Sequence, residues 1–225
     1  MIAVSYSRLS DFARCPRYFF EKYVAKSFKE ETQVQSAGLQ DHKALEEYAR
    51  SFKPLPKHLE HVAPLIEQIR ASHERIEPER ELAVDRHWEP CRWKDWGKAY
   101  IRAKLDLLGY KPGGARVSVI DWKTGKISEG RDQMRLAAAM LFAHDPKIEV
   151  IDAAYVWTTH RHVDSFTIPR YGEAMLLQEY WDERAFEVQR CEESGNWQPK
   201  ASGFCKKCPV APDRCPYAKQ RSRIG

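Results

Sequence analysis

Asp121 and Lys123 stand two residues apart in the strand-like run Val117-Ser118-Val119-Ile120-Asp121-Trp122-Lys123, and Asp106 lies in a second such run, Ile101 to Tyr110. Successive side chains of a strand point to opposite faces, so Asp121 and Lys123 share one face and Ile120 and Trp122 the other. Across a hairpin, two carboxylates and one amine then converge. That is the least equipment that can hold a divalent cation against a phosphate: carboxylates give hard oxygen ligands, and the amine balances charge as a phosphodiester is attacked. The plainer alternative is a solvent-facing Asp106 and a surface ion pair of Asp121 with Lys123, which is worth little. Aspartate is disfavoured inside strands, which weighs against that alternative.

Six cysteines occur, at 15, 91, 191, 205, 208 and 215. Cys205-Lys-Lys-Cys208 followed by Cys215 has the spacing of metal ligands, and three thiolates ask for a fourth, which we assign to Cys15 in Ala-Arg-Cys-Pro-Arg. Soft thiolates suit an iron–sulfur cluster or structural zinc. Disulfides or plain buried thiols are the other readings, the former rare in a cytosolic chain. Cys91 and Cys191 read as plain thiols. A group joining Cys15 to Cys205 would staple the two ends of the chain and act structurally.

These residues need elements to position them. Ser7 predicts a cap for a helix over Arg8–Arg14, and Pro16 suits the first turn of another reaching Val24. Residues 36–52 predict a helix with Leu39, His42, Leu45, Glu46 and Ala49 on one side. Pro54 and Pro56 end it, and 57–76 predicts a further helix. Glu81–Trp88 reads as a strand, with Glu81 an additional acidic candidate, and 89–98 as a loop. There Trp93 and Trp96, interleaved with Arg92, Lys94 and Lys98, could stack on bases or pack on the core. The two carboxylate strands follow, joined by Lys111-Pro-Gly-Gly-Ala turn chemistry. Gly130–Ala143 predicts a helix, Glu149–Thr158 and Val163–Ile168 two strands, and Pro169 to about Cys191 a long helix. Helices, a strand cluster, a helix, two strands and a helix make a mixed sheet flanked by helices, an α/β class.

At 225 residues the chain fits one domain with an appendage, or two small domains, and 43% apolar content is enough for a real core. The mean hydropathy of −0.64 suggests a soluble protein. We see no apolar leader and no run of the ~20 apolar residues that a membrane span needs, and expect a cytoplasmic location. The net charge of +5 is concentrated from Lys200 to the end, where seven Lys/Arg face one Asp. A basic tail on a near-neutral body suggests a polyanion partner, or merely a solvated terminus. There is no Gly-x-x-x-x-Gly-Lys-Ser/Thr loop, so any helicase would be a partner.

Together the motifs resemble the RecB-like branch of the PD-(D/E)XK nucleases, specifically the iron–sulfur exonucleases that include CRISPR-associated and AddB-type members. The resemblance covers nearly the whole chain. Ser7-Arg-Leu-Ser-Asp-Phe-Ala-Arg-Cys15-Pro-Arg-Tyr-Phe resembles the segment that provides the first cluster cysteine. Gly38-Leu-Gln-Asp-His42 resembles the helix with a metal-binding histidine, Arg102-Ala-Lys-Leu-Asp106 the strand of the first acidic ligand, and Ile120-Asp121-Trp-Lys123-Thr-Gly125 the (D/E)XK strand. Gln133 opens what looks like the helix that follows. Two positions depart from the family pattern: Ala103 where it often has glycine, and Ala137 where a tyrosine often follows the helix glutamine. The second puts the role of Gln133 in question.

The resemblance implies a restriction-endonuclease-like core, its catalytic sheet over 78–168, within a single nuclease domain, 1–225. Residues 1–30 and 195–225 would form a [4Fe–4S] subdomain on Cys15, Cys205, Cys208 and Cys215. It implies a DNA exonuclease with Lys123, Asp121, Asp106 and Gln133 in catalysis. His42, Asp106, Asp121 and the Trp122 carbonyl would hold Mg²⁺ or Mn²⁺. Lys206, Lys207, Arg214, Trp93 and Trp96 are DNA-binding candidates. The setting would be recombination, repair or CRISPR adaptation in a prokaryotic or phage-infected cell, with partner proteins and an oligomer as options. The alternatives are a catalytically weak DNA-binding partner in such an assembly, and a zinc-stabilised nucleic-acid binder.

Overall fold

A computed structural model describes residues 1–28 and 33–218, with side chains at 1–28 and 37–218. Lys219, Arg221 and Arg223 of the basic tail lie outside the described residues. Among those described, five strands form one mixed sheet in the order β1-β2-β3-β4-β5: β1 Arg75–Val84, β2 Ile101–Tyr110, β3 Arg116–Lys123, β4 Val150–Trp157 and β5 His162–Pro169. Neighbours are antiparallel except β3 and β4, which run parallel. A parallel pair needs a crossover, and helix α5, Asp132–His144, makes it. Gly113 and Gly114, at φ of 83° and 75°, turn β2 into β3 in a region of backbone space that glycine alone enters without strain.

β3 is central and buried along almost its whole length. Its alternation holds: Val117 and Val119 pack under α5, while Ile120 and Trp122 face the opposite layer. The first layer holds α1 Tyr6–Arg14, α5 and α6 Ala174–Ser194. Helix α5 is apolar nearly all round because it is trapped between sheet and α6, with Met134 and Leu136 to Phe142 all buried. The second layer is α3 Gln33–Ser51 and α4 Ala63–Ser72, which bring Leu45, Ala49, Ile66 and Ile69 onto Trp122 and Leu107. No helix of the described residues is long and apolar enough to cross a membrane.

Several boundaries differ from the sequence reading. The first strand runs over Arg75–Val84 instead of Glu81–Trp88, so the expected helix 57–76 ends at Ser72 after a 3₁₀ stretch, Lys57–Val62. Pro169 closes β5 rather than opening the last helix, which begins at Ala174 and ends on the left-handed Gly195. Helix α2, Pro16–Phe19, continues as a π-helical turn, Phe20–Val24. The first helix starts two residues earlier than expected, with Ser5 and not Ser7 at its N-cap. Leu39 is exposed, off the apolar face expected of it.

Candidate active site

The carboxylates meet where the sheet comes apart. β2 pairs with β3 only from Leu107, opposite Ile120, to Tyr110. Beyond Leu107 the strands part, and the Asp106 carboxylate fills the gap, its Oδ2 accepting the Trp122 N–H at 2.8 Å. Both β1 and β2 change faces at this level. Leu105 packs in the α5 layer but Leu107 in the α3 layer; in β1, Leu82 packs in the former and Ile76 against the latter. The irregularity falls at Glu79, whose φ of 57° is rare for a non-glycine residue, and at Asp106 across from it.

Asp121 projects from β3 into the same opening and is 7% exposed. Its Oδ1 accepts from Gln133 Nε2 at 2.5 Å, and Gln133 Oε1 accepts from Lys123 Nζ at 2.7 Å. The Lys123 ammonium also lies 2.5 Å from Asp121 Oδ2, an ionic contact without hydrogen-bond alignment. Gln133, in the first turn of α5, thus bridges acid and base. No tyrosine stands one turn on, at the buried Ala137, but Tyr155 of β4 brings its ring to 5.3 Å from the Lys123 ammonium.

Burial pushes the Asp121 carboxyl up to about 6, the Asp106 charge adds to the rise, and Lys123 opposes it. His42, from α3, sets Nδ1 3.3 Å from Asp106 Oδ1. Burial works against the charged ring, but Asp106, then Asp121 and Glu79, outweigh it and raise its pKa. Gly38, one turn before His42, lets α3 close on the end of β3, since a Cβ there would sit 3.0 Å from Thr124 Oγ1.

His42, Glu79 and Asp106 each offer a ligand atom within 4.8 Å of the others, the sole such group among the described residues. Three acidic groups and an imidazole, with one carboxyl driven toward protonation, suit a hard divalent cation. Glu79 was not foreseen; the candidate Glu81 instead sits opposite Lys104 in the β1–β2 ladder, away from this group.

The other expected residues fall elsewhere. Cys15, Cys205, Cys208 and Cys215 line one small cavity with Tyr18, Phe204 and Val210. No disulfide joins any of the six cysteines, and no three of their sulfurs lie within 4.8 Å of one another as the His42 group does. Lys200 N–H donates to Cys15 Sγ at 3.3 Å and Ser202 N–H to Cys205 Sγ at 3.4 Å. Lys206 and Lys207 are exposed, whereas Arg214 is tied to the buried Glu21 at 3.0 Å. Trp93 and Trp96 neither reach the core nor stand alone: both stack on Arg102, its guanidinium 5.5 and 4.3 Å from their ring centres.

Among solved structures, a "putative exonuclease" from Eubacterium rectale superposes with a TM-score of 0.56, covering 93% of this chain and 91% of its own at 14% identity, a likeness of fold alone. A second, SSO0001, has a TM-score of 0.44 at 15% identity over 95% of this chain and 87% of its own, and carries no argument. No curated protein matches the chain. The model of the PD-(D/E)XK nuclease superfamily matches residues 3–216, nearly the whole chain and every residue of the carboxylate cleft, and the protein belongs to that superfamily.

Proposed function

We propose that the protein is a metal-dependent DNA exonuclease. The observation that carries this reading is the cleft at the parting of β2 and β3, where Asp106, Asp121, Lys123 and Gln133 meet beside His42 and Glu79. His42, Asp106 and Asp121, with Glu79 and the Trp122 carbonyl, would hold Mg²⁺ or Mn²⁺. A cation there supplies Lewis acidity at phosphorus and lowers the pKa of attacking water. Lys123, fixed by Gln133 and Asp121, offers positive charge to the phosphate as negative charge builds on it. Gln133 keeps the ammonium and the Asp121 carboxylate at one spacing, which limits the reorganisation needed at the moment of reaction. End-directed cutting is supported by the sequence resemblance and by the name given to the Eubacterium rectale protein.

The same reading gives Cys15, Cys205, Cys208 and Cys215 a structural [4Fe–4S] cluster, supported by their shared cavity. Four thiolates suit either an iron–sulfur cluster or one tetrahedral zinc, and the resemblance to the iron–sulfur exonucleases favours the cluster. A role in recombination, repair or CRISPR adaptation in the cytoplasm, beside helicase or adaptation partners, follows from the resemblance.

The test is digestion of end-labelled single- and double-stranded DNA by anaerobically purified protein with Mg²⁺ or Mn²⁺, beside Asp121→Asn and Lys123→Ala. Stepwise shortening by the wild type, slowed at least about 10²-fold in each variant with DNA binding retained, is expected. Cluster-loaded protein that binds DNA and cuts with neither metal would favour the assembly-partner reading instead.

A further inference from the structure

The cleft continues past the carboxylates along β2. At its outer end β2 is flanked by the N-terminal chain, with Val4 beside Ile101 and the Arg102 N–H donating to Val4 O at 2.8 Å. On its inner half it is flanked by β3 from Leu107 onward. Between the two, residues 103–106 have no strand neighbour on that side among the described residues. The gap opens a cavity of about 310 Å³ that Asp106, Asp121 and Gln133 share with Ser5, Tyr6, Ser7, Trp93 and Arg102. Arg102 lies four residues from Asp106, about 13 Å along the strand.

Arg102 is 7% exposed, yet its guanidinium has no carboxylate or carbonyl partner among the described residues, and Nε and Nη2 are shut from solvent without an acceptor. Arg170 shows what a structural arginine does in this fold: it donates to the carbonyls of Phe142, Asp145 and Ile148. Arginine stays charged at any working pH, and an unpaired cation is costly to bury. Arg8 adds to that cost, and Asp95 and Glu81 offset part of it through space without hydrogen-bonding the guanidinium. An acceptor brought by a ligand would remove it, and the planar fork of donors fits phosphate oxygens.

A second observation points to the same ligand. Helix α1, nine residues long, begins in this cavity with Ser5 at its N-cap, but no side chain caps its first turn; Ser5 Oγ meets Ser7 Oγ at 3.1 Å instead. The first-turn N–H groups of a helix have no intrahelical acceptor and favour an anion. A third is Trp96, 70% exposed, whose ring centre is 4.3 Å from the Arg102 guanidinium carbon. An exposed indole beside a phosphate site is a platform for a base.

We propose that Arg102, the N-terminus of α1 and Trp96 form a second phosphate subsite, which holds a non-scissile phosphate of the strand being cut and stacks its base on Trp96. The proposal rests on the nuclease reading for the identity of its ligand. It assigns Arg102 a positioning role: it fixes how far the strand advances and so which phosphate lies against Asp106 and Asp121.

Binding is measured without cutting, in EDTA. Short oligothymidylates with a 5′-phosphate or a 5′-hydroxyl, and inorganic phosphate alone, are titrated into wild type, Arg102→Gln, Arg102→Lys and Trp96→Ala. Tryptophan emission and oligonucleotide anisotropy are the readouts. Arg102→Gln is expected to weaken oligonucleotide binding at least tenfold, Arg102→Lys less, and Trp96→Ala to weaken it while leaving inorganic phosphate binding in place. A preference for the 5′-phosphate identifies the terminal phosphate as the ligand; equal, Arg102-dependent binding identifies an internal one. With metal present, Arg102→Gln should raise KM or shift the cut position while kcat at saturation holds. Wild-type affinity in both Arg102→Lys and a folded Arg102→Gln overturns the subsite. Should Arg102→Gln not fold, unchanged oligonucleotide affinity in both Arg102→Lys and the exposed-site variant Trp96→Ala does so. Arg102-dependent binding by a protein that fails to cut DNA with either Mg²⁺ or Mn²⁺ would instead overturn the nuclease reading and leave the subsite standing.

Discussion

Asp121 sits where its charged form is disfavoured: burial and the neighbouring Asp106 push its carboxyl up to about 6 against the pull of Lys123. Glu79 adds a third carboxylate next to His42 and Asp106 and does so from a left-handed backbone conformation, a strain that persists only where surrounding structure enforces it. Its ion pair with Lys104 from the facing strand restrains it. Glu79→Gln should therefore raise the Mn²⁺ concentration needed for half-maximal cutting by about tenfold, in line with the cost of weakening a ligand set. Glu81→Gln, on the same strand but away from the cleft, should leave the metal titration unchanged, and equal curves for wild type and Glu79→Gln would remove Glu79 from the site. Asp106, Asp121 and Lys123 were legible because the two-residue period of a strand ties spacing to face. Glu79 was not: it joins the site only through long-range pairing of β1 with β2 and a backbone irregularity that no local pattern announces. Arg102 was legible as part of a motif, but its missing partners could be seen only in three dimensions.

Elements set these distances. The central strands were readable from their apolar runs and the Gly113-Gly114 turn, and Ile101–Tyr110 carries the same bounds in sequence and structure. The first strand was misplaced because Arg75 to Glu81 is charged and holds Pro78, a composition tolerated here because β1 is an edge strand. The register of β3 against β4 and β5 is held at the end remote from the cleft by Asp152. It accepts from Arg116 Nε and Nη2, both at 2.7 Å, from Lys111 Nζ at 3.1 Å and from Thr167 Oγ1 at 3.2 Å. The Arg116 hydrogen bonds outweigh the cost of burial, and Lys111 adds to them, holding the Asp152 carboxyl down to about 2 against an ordinary 3.8. A depressed carboxylate stabilises the fold fully above its unfolded value and ceases to do so as pH falls through the folded one. Asp152→Asn should thus lower the melting temperature at pH 7, with the gap to wild type closing between pH 4 and pH 2. A gap that stays constant over that window would mean that the lost contribution is packing and not charge.

At the scale of the whole molecule, the N-terminal segment completes the cleft from outside the sheet. The N-terminal residues flank β2 at Val4 and start α1 in the cavity wall, and the Met1 ammonium is anchored to Glu192 near the end of α6 at 3.2 Å. Cys15 follows α1 directly, and the cavity it shares with Cys205, Cys208 and Cys215 joins residues about 190 apart in the chain. A group held there closes a very long loop, so its removal should widen the unfolded ensemble and loosen α1 together with the cleft. The cysteine spacing made the shared cavity legible; the place of the N-terminal segment beside the cleft was not, because Val4 meets Ile101 and Ser5 to Ser7 line the cleft only in the folded chain. With the proposed cluster in the cavity, Cys208→Ser, or protein stripped of that cluster, should lose visible absorption and melt at least about 5 °C lower, the size expected for releasing a long-range cross-link in a domain of this length. Oligonucleotide binding should weaken with it, since the first turn of α1 would no longer be held against the cleft, although none of the four cysteines lines that cavity. A colourless Cys208→Ser protein with wild-type melting and wild-type DNA affinity would reduce the cysteine cavity to ordinary packing. Wild type that is colourless and carries one zinc per chain would make the staple a zinc site while leaving its structural role intact.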